Sequence, residues 1–429
     1  MVPLLFLTLG LLNAQAADPE LTSYISLIRA VDNHAHPMRL LLASEKLDPD
    51  VDALPATGIE EGPAPVRGRT DNPEYIAIWR ELYGYPFHDS TVAHLLELET
   101  LRAKTIAAQG VNYPSWILDR MGIETMLSNR VAMGAGLPPA RFQWIAFVDA
   151  FMYPLDNTNL KTVTPDRHVF FTDEEAILKR YIAKPAATLD AYAAQVTATI
   201  ETMKREGVVG VKFEMAYLRT LEVDPGVPHD TAAALYARYA KGGTPSRVDY
   251  KKLQDFLFRH IAKEAGRLSL PVQIHTMAGG LGSYFVAAGA NPLLLEPVFN
   301  DPALRATKFI LIHTGEPWNK LTRSLFGKPN VFADISAQTT TLYPRALAAL
   351  LRDWLEQYPE RVLFGTDAFP TNDKGGWEES GYLAALTARK ALAIALTGML
   401  EDGEITRDRA HQLAQMVMRT NALAIYKLN

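Results

Sequence analysis

The chain has 429 residues, 48% of them hydrophobic, enough to bury a large core. Its formal net charge is -5 and no lysine- or arginine-rich block stands out, so it lacks the electrostatic footprint of a nucleic-acid binder. With no cysteine, disulfides, thiolate nucleophiles and cysteine–zinc sites are excluded, and any metal must be held by nitrogen and oxygen.

The first residues read MVPLLFLTLGLLNAQAADPE. The apolar run from Val2 to Leu12 is too short to cross a bilayer as a helix. It ends in Ala14-Gln15-Ala16, a small-residue pattern typical of signal cleavage. Residues 1–16 therefore read as a secretory signal, although no lysine or arginine precedes the run. Export of a cysteine-free chain fits a periplasm. No later segment reads as transmembrane, because charges interrupt the alanine-rich stretches. Residues 17–429 read as one domain.

Eight short apolar runs follow in order, each ending in a polar or glycine-containing turn: LIRAVDNHAHP, MGIETMLSNRVA, RFQWIAFVDAF, GVVGVKFEMAY, LPVQIHTMAGG, KFILIHTGEPW, NVFADISAQ and RVLFGTDAFP. Amphipathic stretches lie between them, among them Thr188 to Arg205, Asp249 to Leu268 and Pro344 to Tyr358. Strands alternating with helices predict an α/β protein with a parallel sheet, and eight units predict a (β/α)8 TIM barrel. No G-x-G-x-x-G or P-loop pattern follows a strand, so dinucleotide and nucleotide phosphates lack their cradle. Three connections are too long for a minimal barrel: Leu41 to Arg120, Pro154 to Pro185 and Arg219 to Ser246. They predict helical insertions after strands 1, 3 and 4, projecting from the C-terminal barrel face as lids or pocket walls. From Gly381 on, the chain reads as helices covering the outside of the barrel.

Ionisable residues collect where strands meet their following loops. His34 and His36 end strand 1, Lys212 strand 4, His275 strand 5, His313 strand 6 and Asp367 strand 8. In a barrel this is the catalytic face. Residues i and i+2 of a strand point to one side, about 7 Å apart, so His34 and His36 can both enter the mouth with Ala35 turned away. Each residue alone has an ordinary explanation. A strand-end histidine is more often simply hydrogen-bonded, an aspartate in GTDAFP can cap a turn, and Lys212 can pair with an acid. Together they place four of ten histidines at one barrel end, with donors suited to zinc and similar divalent ions.

The ordered set DNHAHP, QIHT, LIHTGEPW and LFGTDAFP resembles the metal-dependent amidohydrolase superfamily, in its amidohydrolase-related branch, over nearly the whole mature chain. VGVKFEMAYLR and HTMAGG further resemble the amidohydrolase-like domains fused to glutamine synthetase-like domains, except that Leu218 here separates Tyr217 from Arg219. The resemblance implies His34, His36, His275 and Asp367 as ligands of a divalent metal, most simply one Zn2+. It implies His313 as a catalytic electrophile or the ligand of a second ion. Lys212 would bridge two metals or contact substrate, and Tyr217 and Arg219 would bind a substrate carboxylate. The implied chemistry is hydrolysis of an amide, peptide-like C–N bond in a small molecule by metal-activated water, with Asp367 as the proton carrier. A lactone hydrolase would use the same hydroxide, the same branch contains decarboxylases in which the metal polarises the substrate, and an isomerase is a further alternative. A non-enzymatic small-molecule-binding barrel is the alternative of another class. No nucleic-acid or membrane partner is expected.

Overall fold

The computed structural model describes residues 17–40, 48, 50–53, 65–164, 166–278, 285–370 and 374–428. The signal expected at residues 1–16, and Gly279 and Gly280 of HTMAGG, lie outside them.

All eight predicted runs contain strands: β1 (Ala30–Ala35), β2 (Ile123–Arg130), β3 (Phe142–Phe147), β4 (Val208–Phe213), β5 (Val272–His275), β6 (Phe309–Ile312), β7 (Val331–Asp334) and β8 (Val362–Leu363). They form one parallel sheet in sequence order. The chain beyond β8 closes the sheet onto β1. Asn33 N donates to Phe364 O (2.9 Å), Asp367 N to His34 O (2.8 Å) and His36 N to Ala368 O (2.9 Å). The result is the expected (β/α)8 barrel, and its closing seam runs through three of the predicted site residues, His34, His36 and Asp367.

The insertions fall where the sequence placed them. Helices Pro73–Tyr83, Val92–Gln109 and Tyr113–Met121 follow β1; Arg167–Tyr181 and Leu189–Arg205 follow β3; His229–Tyr239 and Arg247–Arg267 follow β4. One unit departs from the alternation. Residues 131–141, between β2 and β3, contain no helix. That flank is covered instead from far along the chain, where Trp377 packs edge-on against Phe142.

The outer helices form for ordinary reasons. Pro344–Leu355 buries Leu347, Ala348, Leu351, Trp354 and Leu355, a single face at helical spacing. Trp377–Glu401 is rich in alanine, the best helix former, and its Glu379 side chain accepts from Gly376 N at the N-terminus. By length and composition this helix could cross a membrane, which the sequence reading did not anticipate. It is 72% buried inside the protein over its apolar window, as a core helix is.

The C-terminus differs from expectation. Its last helix, Asn421–Tyr426, does not lie on the outer wall. Ala422, Ile425 and Tyr426 pack with Val31, Leu127, Ile145, Ile310, Ile312, Phe332 and Leu363, closing the N-terminal end of the barrel. Gly210 permits this approach, because a Cβ there would lie 2.9 Å from Ile145 Cδ1 and 3.1 Å from the Tyr426 ring. The C-terminal mouth therefore sits over a plugged floor.

Candidate metal centre

Simple alternation would send Asn33 away from His34. The β1–β2 register shifts between Asp32 and Ala35, and this irregularity aims both side chains inward. Asn33 Nδ2 reaches Asp334 Oδ2 at 2.8 Å, while His34 Nδ1 reaches Gln273 Oε1 at 3.2 Å. Across the seam, Asp32 accepts from Thr366 N (2.9 Å) and Thr366 Oγ1 (2.5 Å). Together with the Asp367 N to His34 O bond, this fixes the turn that carries Asp367. Asp367 and His313 both adopt left-handed backbone, φ 55° and 63°. That conformation is uncommon outside glycine, and here it turns both side chains across the mouth.

Three of the predicted ligands converge. His34, His36 and Asp367 present ligand atoms within 4.8 Å of one another. His34 Nε2 is 3.1 Å from Asp367 Oδ1 and 3.3 Å from His36 Nε2, and His36 Nε2 is 3.6 Å from Asp367 Oδ1. Lys212 Nζ reaches the same point, 3.4 Å from His34 Nε2. His313 Nε2 stands 4.0 Å from Asp367 Oδ2, with its ring 5.2 Å from that of His34.

The outward nitrogens decide which way the inner ones face. Gln273 Nε2 donates to Asn33 O and to the Tyr426 hydroxyl, so its Oε1 faces His34 Nδ1 as an acceptor at 3.2 Å, while the Asn129 amide nitrogen meets the same Nδ1 at 2.8 Å. Ser336 Oγ donates to Asp334 Oδ1 at 2.7 Å, so at 2.9 Å it accepts from His313 Nδ1–H. His36 Nδ1 faces the Asp52 carboxylate at 2.6 Å. His313 thus turns an Nε2 lone pair toward Asp367, and His34 and His36 point their Nε2 atoms at the same carboxylate, the arrangement of metal-facing imidazoles. Burial, reinforced for His34 by Lys212, holds His34 and His313 well below the usual imidazole pKa, so they are neutral at neutral pH. Among the described residues, this donor set fits a divalent ion of the zinc type.

Two expected residues are placed differently. His275 reaches the same barrel end, its ring 4.9 Å from that of His313 and 4.4 Å from that of Tyr217. Its Nε2, however, faces Met277 O at 3.0 Å, and it is not part of the three-residue group. Tyr217 therefore lines the mouth beside His275. Arg219 does not reach the mouth. Its guanidinium binds Asp255 Oδ1 (2.5 Å), Gln254 Oε1 (3.1 Å) and Glu222 O (2.7 Å), tying the loop to helix Arg247–Arg267. Asp255 is buried and acidic, and it takes the guanidinium that the sequence reading offered to a substrate.

Asp52, Asn129, Gln273 and Ser336 contact the imidazoles, and Asp334 accepts from the His313 backbone N; all five escaped the sequence reading. Gln273 precedes His275 by two on one strand, and same-face spacing could have flagged it. Asp52 sits in a long loop, where no periodicity reports its direction.

The sequence model of the amidohydrolase family matches residues 162–428, a span that includes Lys212, His275, His313 and Asp367 but not β1. The protein fluG of Emericella nidulans is 29% identical over 237 residues; the match covers 52% of this chain and 26% of that protein. This chain thus spans about a quarter of the length of the curated relative. A Lactobacillus casei chain described as a metal-dependent hydrolase superposes with TM-score 0.63 at 16% identity, covering 95% of this chain and 97% of that one. Glucuronate isomerase from Caulobacter crescentus gives 0.57 at 12%, covering 96% and 93%. At such identities these structures show a shared fold. The family match takes in more than half of the chain, and superfamily members use divalent metals. The chain belongs to the amidohydrolase family.

Proposed function

We propose that this protein is a metal-dependent hydrolase of an amide, peptide-like C–N bond in a small molecule. The observation that carries the reading is the convergence of the His34 and His36 Nε2 atoms with the Asp367 carboxylate.

His34, His36 and Asp367 would hold one zinc-like ion. When bound, such an ion polarises a carbonyl and makes hydroxide available from water near neutral pH. Asp367 has an oxygen on each side of the group, Oδ1 toward His34 and Oδ2 toward His313. It is partly exposed, with 24% of its side chain accessible, so it can take a proton from water and pass it to the leaving nitrogen. His313 carries its hydrogen on Nδ1, which leaves Nε2 an acceptor. This favours a proton-accepting or ligating role over that of an electrophile donating to the carbonyl. Lys212 Nζ, buried beside His34, would donate to the oxygen on which charge develops. Tyr217 and His275 form one wall of the mouth.

The test joins metal content to turnover. The zinc-loaded protein should hydrolyse members of an amide panel, stop on chelation and recover on zinc addition. Asp367→Asn should lose about 10²- to 10⁴-fold in turnover. Hydrolysis that survives chelation, or a wild-type rate in Asp367→Asn, sinks the reading. Bound metal with no turnover on amides, lactones or carboxylates would favour the binding barrel.

A further inference from the structure

Beside the metal group lies a second set of buried polar residues that the hydrolytic reading does not use. Asp149 follows β3, Glu214 follows β4, and Glu174 lies in the helix Arg167–Tyr181 that inserts after β3. Asp149, Glu214, Glu174 and Tyr153 are 1%, 3%, 4% and 2% exposed. Asp149 Oδ2 accepts from Glu214 N at 2.8 Å. Asp149 Oδ1, Glu214 Oε2 and the Tyr153 hydroxyl have no hydrogen-bond partner. The Tyr153 hydroxyl lies in the field of both Asp149 and Glu174.

Charge on the three carboxyls is mostly negative, although Arg219 and Arg167 act on the Tyr153 hydroxyl. Lys212 is the cation acting on Asp149 and Glu214, with Nζ 3.7 Å from Glu214 Oε1. The other strong charges on these carboxyls are Asp52, Asp173 and one another, all negative. Burial pushes all three carboxyls up, toward their protonated forms, and a cation among them would restore their charge.

The cluster packs against the residues of the mouth. Lys212 Nζ links Glu214 to His34 in two short steps. Phe170, one turn before Glu174, stacks on Tyr217 at 6.4 Å, and Tyr217 packs on His275.

We propose that Asp149, Glu174, Glu214 and Tyr153 form a subsite for a primary ammonium on the substrate, one or two bonds from the scissile carbonyl. This rests on the hydrolase reading above, since it assigns the substrate class of that same site. A metal ion is a poorer occupant. Among the described residues, only His34, His36 and Asp367 bring three ligand atoms close enough for one ion. An ammonium bridges wider gaps, because N–H···O contacts of about 2.8 Å exceed metal–oxygen bonds of about 2.1 Å. The unpartnered tyrosine hydroxyl supplies a neutral acceptor that a carboxylate-only cage would not need.

The experiment compares glycinamide with glycolamide, which carries a hydroxyl in place of the ammonium, on the zinc-loaded full chain at pH 7. Binding is followed by calorimetric titration and hydrolysis by ammonia release. Glycinamide should bind at least about tenfold more tightly. In Glu174→Gln that advantage should fall to within about threefold, and in Tyr153→Phe it should shrink less. Thermal unfolding of both variants checks that they fold. No preference in the wild type, including no binding of either amide, overturns the subsite. So does a tenfold preference that persists in both variants. Preferential binding without ammonia release supports the subsite and counts against amide hydrolysis. Equal hydrolysis of both amides does the reverse.

Discussion

Ser336 Oγ accepts from His313 Nδ1 at 2.9 Å while donating to Asp334 Oδ1 at 2.7 Å, so one hydroxyl sets the tautomer of His313. Ser336→Ala removes that acceptor and leaves the imidazole free to carry its hydrogen on Nε2, toward Asp367. Activity or metal affinity should fall about 10- to 100-fold, as when other groups behind metal-facing histidines are removed. Steady-state kinetics and competitive metal titration read the effect. A wild-type value for both would show that Asp334 and Gln338, which bind the His313 backbone, orient the ring without the serine.

Asp334 is boxed in by Asn33 Nδ2, His313 N and Ser336, and Gly365 lies against it. A Cβ on Gly365 would stand 2.7 Å from Asp334 Oδ2 and 2.9 Å from Ser336 Cβ. Neither neighbour is the free end of a long side chain, so neither can yield without moving His313. Gly365→Ala should destabilise the fold by about 1–3 kcal/mol and cut turnover along with it. Urea unfolding combined with kinetics separates this from simple surface tolerance, for which both would stay unchanged.

The barrel was legible because its eight strand runs are apolar and β-branched and end in marked turns. His34, His36 and Asp367 were legible because the strand ends of a barrel share one mouth. Three things were not. The register shift at Asp32–Ala35 reverses the expected facing of Asn33, and nothing in DNHAHP announces it. Arg219 looked available until Asp255, distant in sequence, was brought beside it. Tyr426 lies in a short C-terminal helix whose apolar residues look alike whether they cover a wall or plug a floor. In each case partner choice depends on tertiary contact, which local pattern does not encode.

Glu378 and Glu379 are adjacent at the start of helix Trp377–Glu401, with Arg102 paired to Glu379 and the Tyr113 hydroxyl donating to Glu378 Oε1 at 3.2 Å. Burial, with Glu379 adding repulsion, pushes Glu378 up to about 7. The folded chain then keeps a proton that the unfolded chain releases near the ordinary glutamate value of about 4.3. More protons bound in the folded state means that stability falls as pH rises through that window and levels off above about 7. The slope from this group is at most about 1.4 kcal/mol per pH unit, and partial solvent access reduces it. Glu378→Gln should flatten the decline between pH 5 and pH 8. Unfolding curves for the variant that keep the wild-type slope would show that Glu378 is ionised throughout.

The Tyr426 hydroxyl joins the barrel floor to the metal group. It donates to Asn33 Oδ1 at 2.7 Å and accepts from Gln273 Nε2 at 2.8 Å, and Gln273 Oε1 in turn holds His34 Nδ1. Tyr426→Phe keeps the ring that packs against Gly210 and the floor residues, so the helix still has its apolar face. What it removes is one donor and one acceptor from a fully buried network, leaving Asn33 Oδ1 unsatisfied. Such a loss costs about 1–3 kcal/mol. Gln273 keeps its bond to Asn33 O, so His34 should loosen rather than turn away, and zinc affinity should fall by several-fold rather than vanish. Chemical denaturation of the metal-free chain measures the first effect, and chelator competition at a denaturant-free pH 7 measures the second. A stability loss with unchanged zinc affinity would mean that the floor supports the barrel but does not tune His34. Unchanged stability would mean that the buried hydroxyl contributes nothing net, and the proposed connection between the C-terminal helix and the metal group would fail.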